Sequence, residues 1–335
     1  MTGLRFGILP TPIYGAETPY RQQLDEHVEL VSAAEDLGFS LMSCGQHFVG
    51  TELRYYQPVP YLGYLAQHAR SMRVLIGISL LSMVNPVETA ESVATLDAVT
   101  DGRVVFGAAL GYSDREFKAM GVPPKQKISR FEEGVELMRA MWSGEQVDIV
   151  GKHWAVEGVL PSVQPVQPGG PPLWIGGQST PAIQRAARLG DAWYVPPFPS
   201  HEELRRLRKE YLRVREEHGL STDGEFPVRR ELIVASSRDE ARRIARERSA
   251  LRYSTYRSWG LSGENQPTSQ EQDGIDVDSQ FILGSAAEVV DQLGRLQEEL
   301  GMTDFLFKSH WQGLPHSDAM KQLELFGTEV VPQLL

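Results

Sequence analysis

Apolar and polar positions alternate between two periods along this chain, and the alternation predicts strands and helices in turn. Arg5–Leu9 is a short apolar run stopped by Pro10 and Pro12, which reads as a first buried strand. Leu24–Leu37 then repeats apolar residues at helical spacing and stops at Gly38, a helix-ending residue. Phe39–Cys44 predicts a second strand and Tyr61–Ala69 a second helix. Val74–Leu81 is a third strand, apolar on both faces as a parallel sheet requires. A helix over Glu88–Val99 and a fourth strand over Val104–Leu110 follow. Beyond the helix at Phe131–Trp142, the proline-rich stretch Val150–Pro172 reads as an excursion with a strand signal at His153–Val156. Strands five to eight are predicted at Leu173–Ile175, Ala192–Val195, Arg229–Ala235 and Thr303–Lys308. Helices are predicted at Pro181–Leu189, His201–His218, Asp239–Arg252 and, last, Ala286–Leu300. Eight strands joined by helical crossovers suggest closure into a (β/α)₈ TIM barrel; an open doubly wound sheet is the competing arrangement.

Length fits that picture. With 335 residues the chain exceeds the ~250 typical of such barrels, and insertions account for the excess. The whole chain, 1–335, reads as one barrel domain, with the polar Ser254–Ser279 segment as an insertion and candidate lid. A formal charge of −11 disfavours nucleic acid and anionic membrane as partners. No apolar run approaches a bilayer-spanning length and no signal pattern opens the chain, so a cytoplasmic protein is expected. The one cysteine, Cys44, lies in an apolar strand and reads as a small buried hydrophobe. Metal binding is not expected, because no His/Asp/Glu group has ligand spacing.

In a barrel the chemistry sits just beyond the carboxyl ends of the strands, and four such places stand out. After strand five comes Gly176-Gly177-Gln178-Ser179-Thr180-Pro181 and then a helix. Glycines permit close backbone approach and a helix start binds phosphate, although an ordinary capped turn explains the same residues. After strand four comes Gly111-Tyr112-Ser113-Asp114, where hydroxyls could meet a phosphate or simply cap a helix. Ser79-Leu80-Leu81-Ser82 ends strand three, and Gln46-His47-Phe48 ends strand two. His47 can move a proton near neutral pH, but lone histidines are more often structural. His310, before Trp311, invites the same two readings. No GxGxxG or Walker loop occurs, which weakens the nucleotide-fold alternative.

Read together, several blocks resemble the bacterial luciferase-like flavin oxidoreductases. They are Leu96-Asp97 with Asp101-Gly102-Arg103, Phe106-Gly107, Gly111-Tyr112-Ser113, Glu116-Phe117 and Gly121-Val122, then Arg130-Phe131-Glu132-Glu133. Pro171 to Gly177, Ala186 to Trp193 and Phe281 to Ser285 complete the set, in order, over about Arg5 to Lys308. The resemblance implies a barrel binding FMN, or alternatively coenzyme F420, at the strand ends. It implies a non-proline cis peptide at Ser79-Leu80, Ser82 near the flavin, and a phosphate cradle of Gly111, Tyr112, Ser113, Gly176, Gly177, Gln178 and Ser179. His47 matches a polar position beside the reactive ring. Two departures bear on the substrate: Gln46 stands where members often carry Glu, and Ala108-Ala109 where they carry glycine. The preferred reading is a two-component monooxygenase that takes reduced FMN from a separate flavin reductase and uses oxygen on a partly hydrophobic small molecule. Hydride transfer with F420 is the alternative, with Lys125, Lys127 and Arg130 as a groove for its acidic tail. A flavin-binding protein without catalysis is a third. Phe48, Tyr55, Tyr56, Phe198 and Trp311 are the candidate apolar lining, and a homodimer or homotetramer is expected by resemblance.

Overall fold

A computed structural model describes residues 3–10, 18–50, 54–247, 276–308 and 314–335. The predicted His310 and Trp311, and residues 254–275 of the predicted lid, lie outside the described residues.

Eight parallel strands form the barrel: β1 (Arg5–Ile8), β2 (Leu41–Cys44), β3 (Arg73–Ser79), β4 (Val104–Ala108), β7 (Leu173–Gly176), β8 (Ala192–Tyr194), β9 (Pro227–Arg230) and β12 (Asp304–Phe307). Their order is β8-β7-β4-β3-β2-β1-β12-β9, and a parallel bridge between Val195 and Val228 joins the two ends. Helices α1 (Tyr20–Asp36), α2 (Pro58–Leu65), α3 (Pro86–Val99), α5 (Lys127–Met141), α6 (Thr180–Leu189), α7 (His201–Glu217) and α10 (Ala286–Leu300) supply the crossovers. The short α4 (Asp114–Ala119) sits on the loop after β4. Alternation along each strand divides two cores. Leu41, Leu75, Val105, Trp174, Tyr194 and Leu306 fill the barrel, while Met42, Val74, Phe106, Ile175 and Trp193 face the helices.

Three predicted boundaries change. The expected excursion contains a hairpin, β5 (Val147–Val150) paired antiparallel with β6 (Ala155–Val159). Glu133 fastens its turn by accepting the amides of Lys152, His153 and Trp154 at 2.7–3.1 Å. The predicted seventh strand is two strands. After β9 the chain leaves the barrel, and β10 (Leu232–Val234) pairs with β11 (Ile282–Gly284) in a separate parallel ladder. Its three apolar residues are buried, so one apolar run serves two sheets. Helix α8 (residues 238–247) and the short α9 (Val277–Gln280) lie beside that ladder. A last helix, α11 (His316–Glu329), was not predicted; Ala319, Leu323 and Phe326 are its buried stripe.

The amino-terminal end of the barrel is closed by charge. Asp304 accepts from Arg5 at 2.8 and 2.6 Å, while Glu225 accepts from Arg5 and Arg73 at 2.6 Å and from Trp174 Nε1 at 3.0 Å. Burial works against the Glu225 charge, but Arg73, Arg5 and the indole outweigh it and hold its carboxyl below the usual range.

His201 makes stability depend on pH. It opens α7, and burial, then the charge of Arg230, push its imidazole down to about 4. The folded protein therefore keeps it neutral where the unfolded chain begins to protonate, near 6.5. This contribution is fully present above about 6.5 and is lost as pH falls from there through about 4, by up to about 3 kcal/mol. Melting temperatures of wild type and His201→Gln across that window check it. A variant with the wild-type slope would show that another group is responsible.

Candidate active site

The top of the barrel, beyond the carboxyl ends of β2, β3, β4 and β7, brings together most of the residues expected there. The wall between β3 and β7 is built for close approach. Side chains added at Gly77 and Gly107 would overlap Ser43 Oγ and the Ile76 carbonyl, and one at Gly176 would meet Ile78 Cδ1 at 3.1 Å. Ile78 and Leu75 are the large side chains packed among these glycines. The non-proline cis peptide joins Gly77 to Ile78, two residues before the expected Ser79-Leu80. The difference follows from the register: pairing of β3 with β4 shifts between Ile76 and Ser79, so the irregular backbone lies inside the strand.

Ser79, Leu80 and Ser82 tie the loops together. Gln46 Oε1 accepts from Leu80 N at 2.9 Å and Ser79 Oγ at 3.2 Å, so the ends of β2 and β3 move as one. Leu80 turns into a small cluster with Met83, Phe117 and Val122 rather than toward the barrel axis. Ser82 is fully buried, and its hydroxyl donates to Leu110 O at 2.5 Å. That bond bridges the loops after β3 and β4. The Ser82 carbonyl accepts Arg130 Nε at 2.9 Å, and the same guanidinium lies 4.5 Å from the Trp154 ring centre. Burial lowers the Arg130 pKa, with Glu133 opposing.

The two glycine loops differ in detail. Gly111 has φ +75°, with Met83 Cε against the place a side chain would fill. Ser113 caps α4, accepting from Glu116 N at a long 3.5 Å. Ser179 holds the cap position of α6, but its side chain makes no capping bond. A side chain at Gly177 would meet Ala182 Cβ at 2.6 Å, and the Gly177 carbonyl is fixed by Trp193 Nε1 at 2.9 Å. The start of α6 is therefore rigid, with a hydroxyl not used for capping.

His47 is part of a pair. Its Nδ1 lies 3.1 Å from Glu116 Oε1, which also accepts the Phe48 amide at 2.7 Å. Glu116 is 2% exposed and its other oxygen has no partner. The Tyr55 and Tyr112 rings stand edge-on at 4.8 and 6.0 Å. A carboxylate there selects the tautomer with hydrogen on Nδ1, leaving Nε2 as the basic nitrogen. Glu116 stood in the motif blocks without a role; only folding puts α4 over the end of β2. Ser43, Tyr194 and the Arg229–Glu231 pair are polar groups of the barrel interior that the sequence analysis does not single out. A charge pair two residues apart, within a predicted strand, was their signal. Cys44, by contrast, faces outward and is buried, and burial pushes its thiol up to about 12, which makes it inert. Among the described residues, no group of three or more His, Cys, Asp or Glu could hold a metal, and no helix is long and apolar enough to cross a membrane.

Known proteins share this sequence pattern and fold. The family model for luciferase-like monooxygenases matches residues 4–304. The chain is 30% identical over 176 residues to an F420-dependent glucose-6-phosphate dehydrogenase of Nocardia farcinica, a match spanning 50% of this chain and 52% of that protein. It is 23% identical over 330 residues to the oxygenase component of a flavin-dependent trigonelline monooxygenase of Acinetobacter baylyi, covering 93% and 90% of the two chains. Monooxygenase RslO1 of Streptomyces bottropensis has the same fold, with TM-score 0.86, 22% identity and coverage of 99% of this chain and 100% of the other.

Proposed function

This chain belongs to the luciferase-like monooxygenase family, and from that premise we propose that it is the oxygenase of a two-component system working with reduced FMN. The strip of Gly77, Gly107 and Gly176 around Ile78 supports this reading: side chains there would overlap Ser43 or Ile76 or crowd Ile78, so the glycines serve strand packing and leave the part-exposed Ile78 as an apolar bed. A tricyclic ring fits such a bed. Its phosphate would be held by the backbone of Gly111 and Gly177, the hydroxyls of Tyr112, Ser113 and Ser179, the Gln178 amide and the start of α6. Arg130, fixed by Ser82 and Trp154, is the nearby cation. One relative that matches nearly the whole chain is a flavin-dependent oxygenase component, and another over the same span is an F420-dependent glucose-6-phosphate dehydrogenase.

Bound reduced flavin supplies the electrons for oxygen chemistry. The chain's own part is to position, exclude water and move a proton. His47, with Nδ1 held by Glu116, presents Nε2 as the acid–base group, and each proton exchanged there is balanced by the buried carboxylate. A separate flavin reductase would provide the reduced cofactor. A second reading, hydride transfer with F420, keeps support from the Nocardia relative. Arg130, held by Ser82 and Trp154, would serve the phosphate of either cofactor and does not separate the two readings.

Anaerobic titration with reduced FMN and, in parallel, with F420 tests the choice. Tight binding of reduced FMN, with rapid oxygen uptake once air is admitted, is the expected result. Tight binding of F420 alone would replace the oxygenase with a dehydrogenase or reductase.

A further inference from the structure

Gln46 is one of the two departures from the family pattern, and its hydrogen bonds show what a carboxamide does there. Its backbone N–H donates to Ile78 O at 3.1 Å, and its Oε1 accepts from Leu80 N at 2.9 Å and Ser79 Oγ at 3.2 Å. Gln46 therefore holds the backbone from Ile78 to Leu80, which carries the apolar bed. Its Nε2 donates to Gln57 Oε1 at 3.0 Å, and Gln57 Nε2 donates to His47 O at 3.1 Å. Two carboxamides in series thus connect the end of β3 with the loop that bears His47. A cavity of about 460 Å³ lies against this connection, lined in part by Gln46, Phe48, Gln57, Ser79 and Met83. On that side hydrogen bonds, and not packed side chains, hold the two loops together.

The series has a direction fixed at both ends. Leu80 N–H can only donate and His47 C=O can only accept, so each carboxamide must accept on one side and donate on the other. A carboxylate at either position keeps the shape and the acceptor but loses the donor. At position 57 it would face the His47 carbonyl directly. At position 46 it would draw the Gln57 N–H₂ toward itself, and the Gln57 oxygen would then face His47 O. We propose that Gln46 and Gln57 are positioning residues, which set His47 relative to the flavin bed through this one-way series. Nδ1 of His47 is held by Glu116 and its carbonyl by Gln57, so ring and backbone are fixed from two different elements. Small misplacements of a proton-transfer group lower its rate steeply, which gives the second anchor its use. The proposal rests on the reading of His47 as the acid–base group beside a bound flavin, and it holds for either cofactor.

Hydrogen exchange of the flavin-free protein, read at single amides, tests the series without a cofactor. Gln57→Glu should leave the Leu80 amide protected, because the Gln46 acceptor remains. It should speed exchange of the Phe48 amide about threefold to tenfold, as expected when one neutral hydrogen bond to the loop is lost. Gln46→Glu should do the same. Adding Gln57→Lys to Gln46→Glu supplies donors to both the new carboxylate and the His47 carbonyl, and should bring Phe48 exchange back to within about twofold of wild type. Gln57 is exposed, so its substitution leaves folding intact. In the loaded enzyme, Gln57→Glu should lower turnover by about the same factor, with FMN affinity within about twofold. Unchanged Phe48 exchange in both single variants, no recovery in the double variant, or faster exchange without a fall in turnover would each overturn the proposal and leave the flavin reading intact. Full turnover in His47→Ala would instead remove the acid–base reading and this proposal with it, whatever the exchange rates show.

Discussion

Replacing His47 with alanine lowers kcat by roughly 10²–10⁴-fold, the range that a positioned proton-transfer group contributes. Flavin affinity should hold within about twofold, because the phosphate loops and the glycine strip do not depend on the imidazole. Glu116→Gln makes the sharper comparison. It keeps the shape of the side chain and one carbonyl oxygen for the Phe48 amide, but loses the charge that His47 Nδ1 faces at 3.1 Å. A charge-assisted hydrogen bond contributes about 1.5–3 kcal/mol, so kcat should fall on the order of 10- to 100-fold with KM nearly unchanged. Steady-state kinetics beside a flavin titration separates the outcomes. If His47→Ala lost flavin binding in proportion to turnover, the histidine would be a cofactor support. If Glu116→Gln raised KM and spared kcat, Glu116 would serve the loop and not the proton.

The fold was legible because its signal is repetitive. Apolar strand, helix and breaker recur eight times, and any one uncertain boundary leaves the barrel intact. What escaped depended on long-range placement. Residues 229–235 read as one strand, yet Arg230 ends the barrel ladder while Leu232–Val234 pairs with β11, fifty residues further on. Of the candidate site, the glycine turns were legible as turns: Gly111 has φ +75° and Gly177 packs on Ala182. The site was not legible where side chains from distant elements meet. Glu116 belongs to α4 and His47 follows β2, and no local pattern joins them. The inner wall was hidden for another reason. Tyr194 and Arg229 sit on strands otherwise read as core, and only register shows that they face inward.

The motif that identified the family most clearly is structural, and Asp97 shows how. Its carboxylate is fully buried at the end of α3. One oxygen accepts Gln167 Nε2 at 2.7 Å and Val104 N at 3.3 Å; the other accepts the amides of Val166 and Gln167 at 2.8 and 3.0 Å. The segment leading into β7 is thus pinned to the start of β4, which sets the spacing of the two glycine loops. Arg103, in the same block, acts similarly by donating to the carbonyls of Ala66, Ala69, Met72 and Thr100. Asp97→Ala should cost about 3 kcal/mol, as expected when hydrogen bonds to a buried charge are lost. For a protein of 335 residues that is about 4–5 °C in melting temperature. Asp97→Asn, which presents an N–H₂ to donors, should lose part of the same amount. Flavin affinity measured well below the melting range should change little, because the carboxylate touches scaffold and not the bed. Unchanged melting with lost flavin binding would move Asp97 from the scaffold into the site.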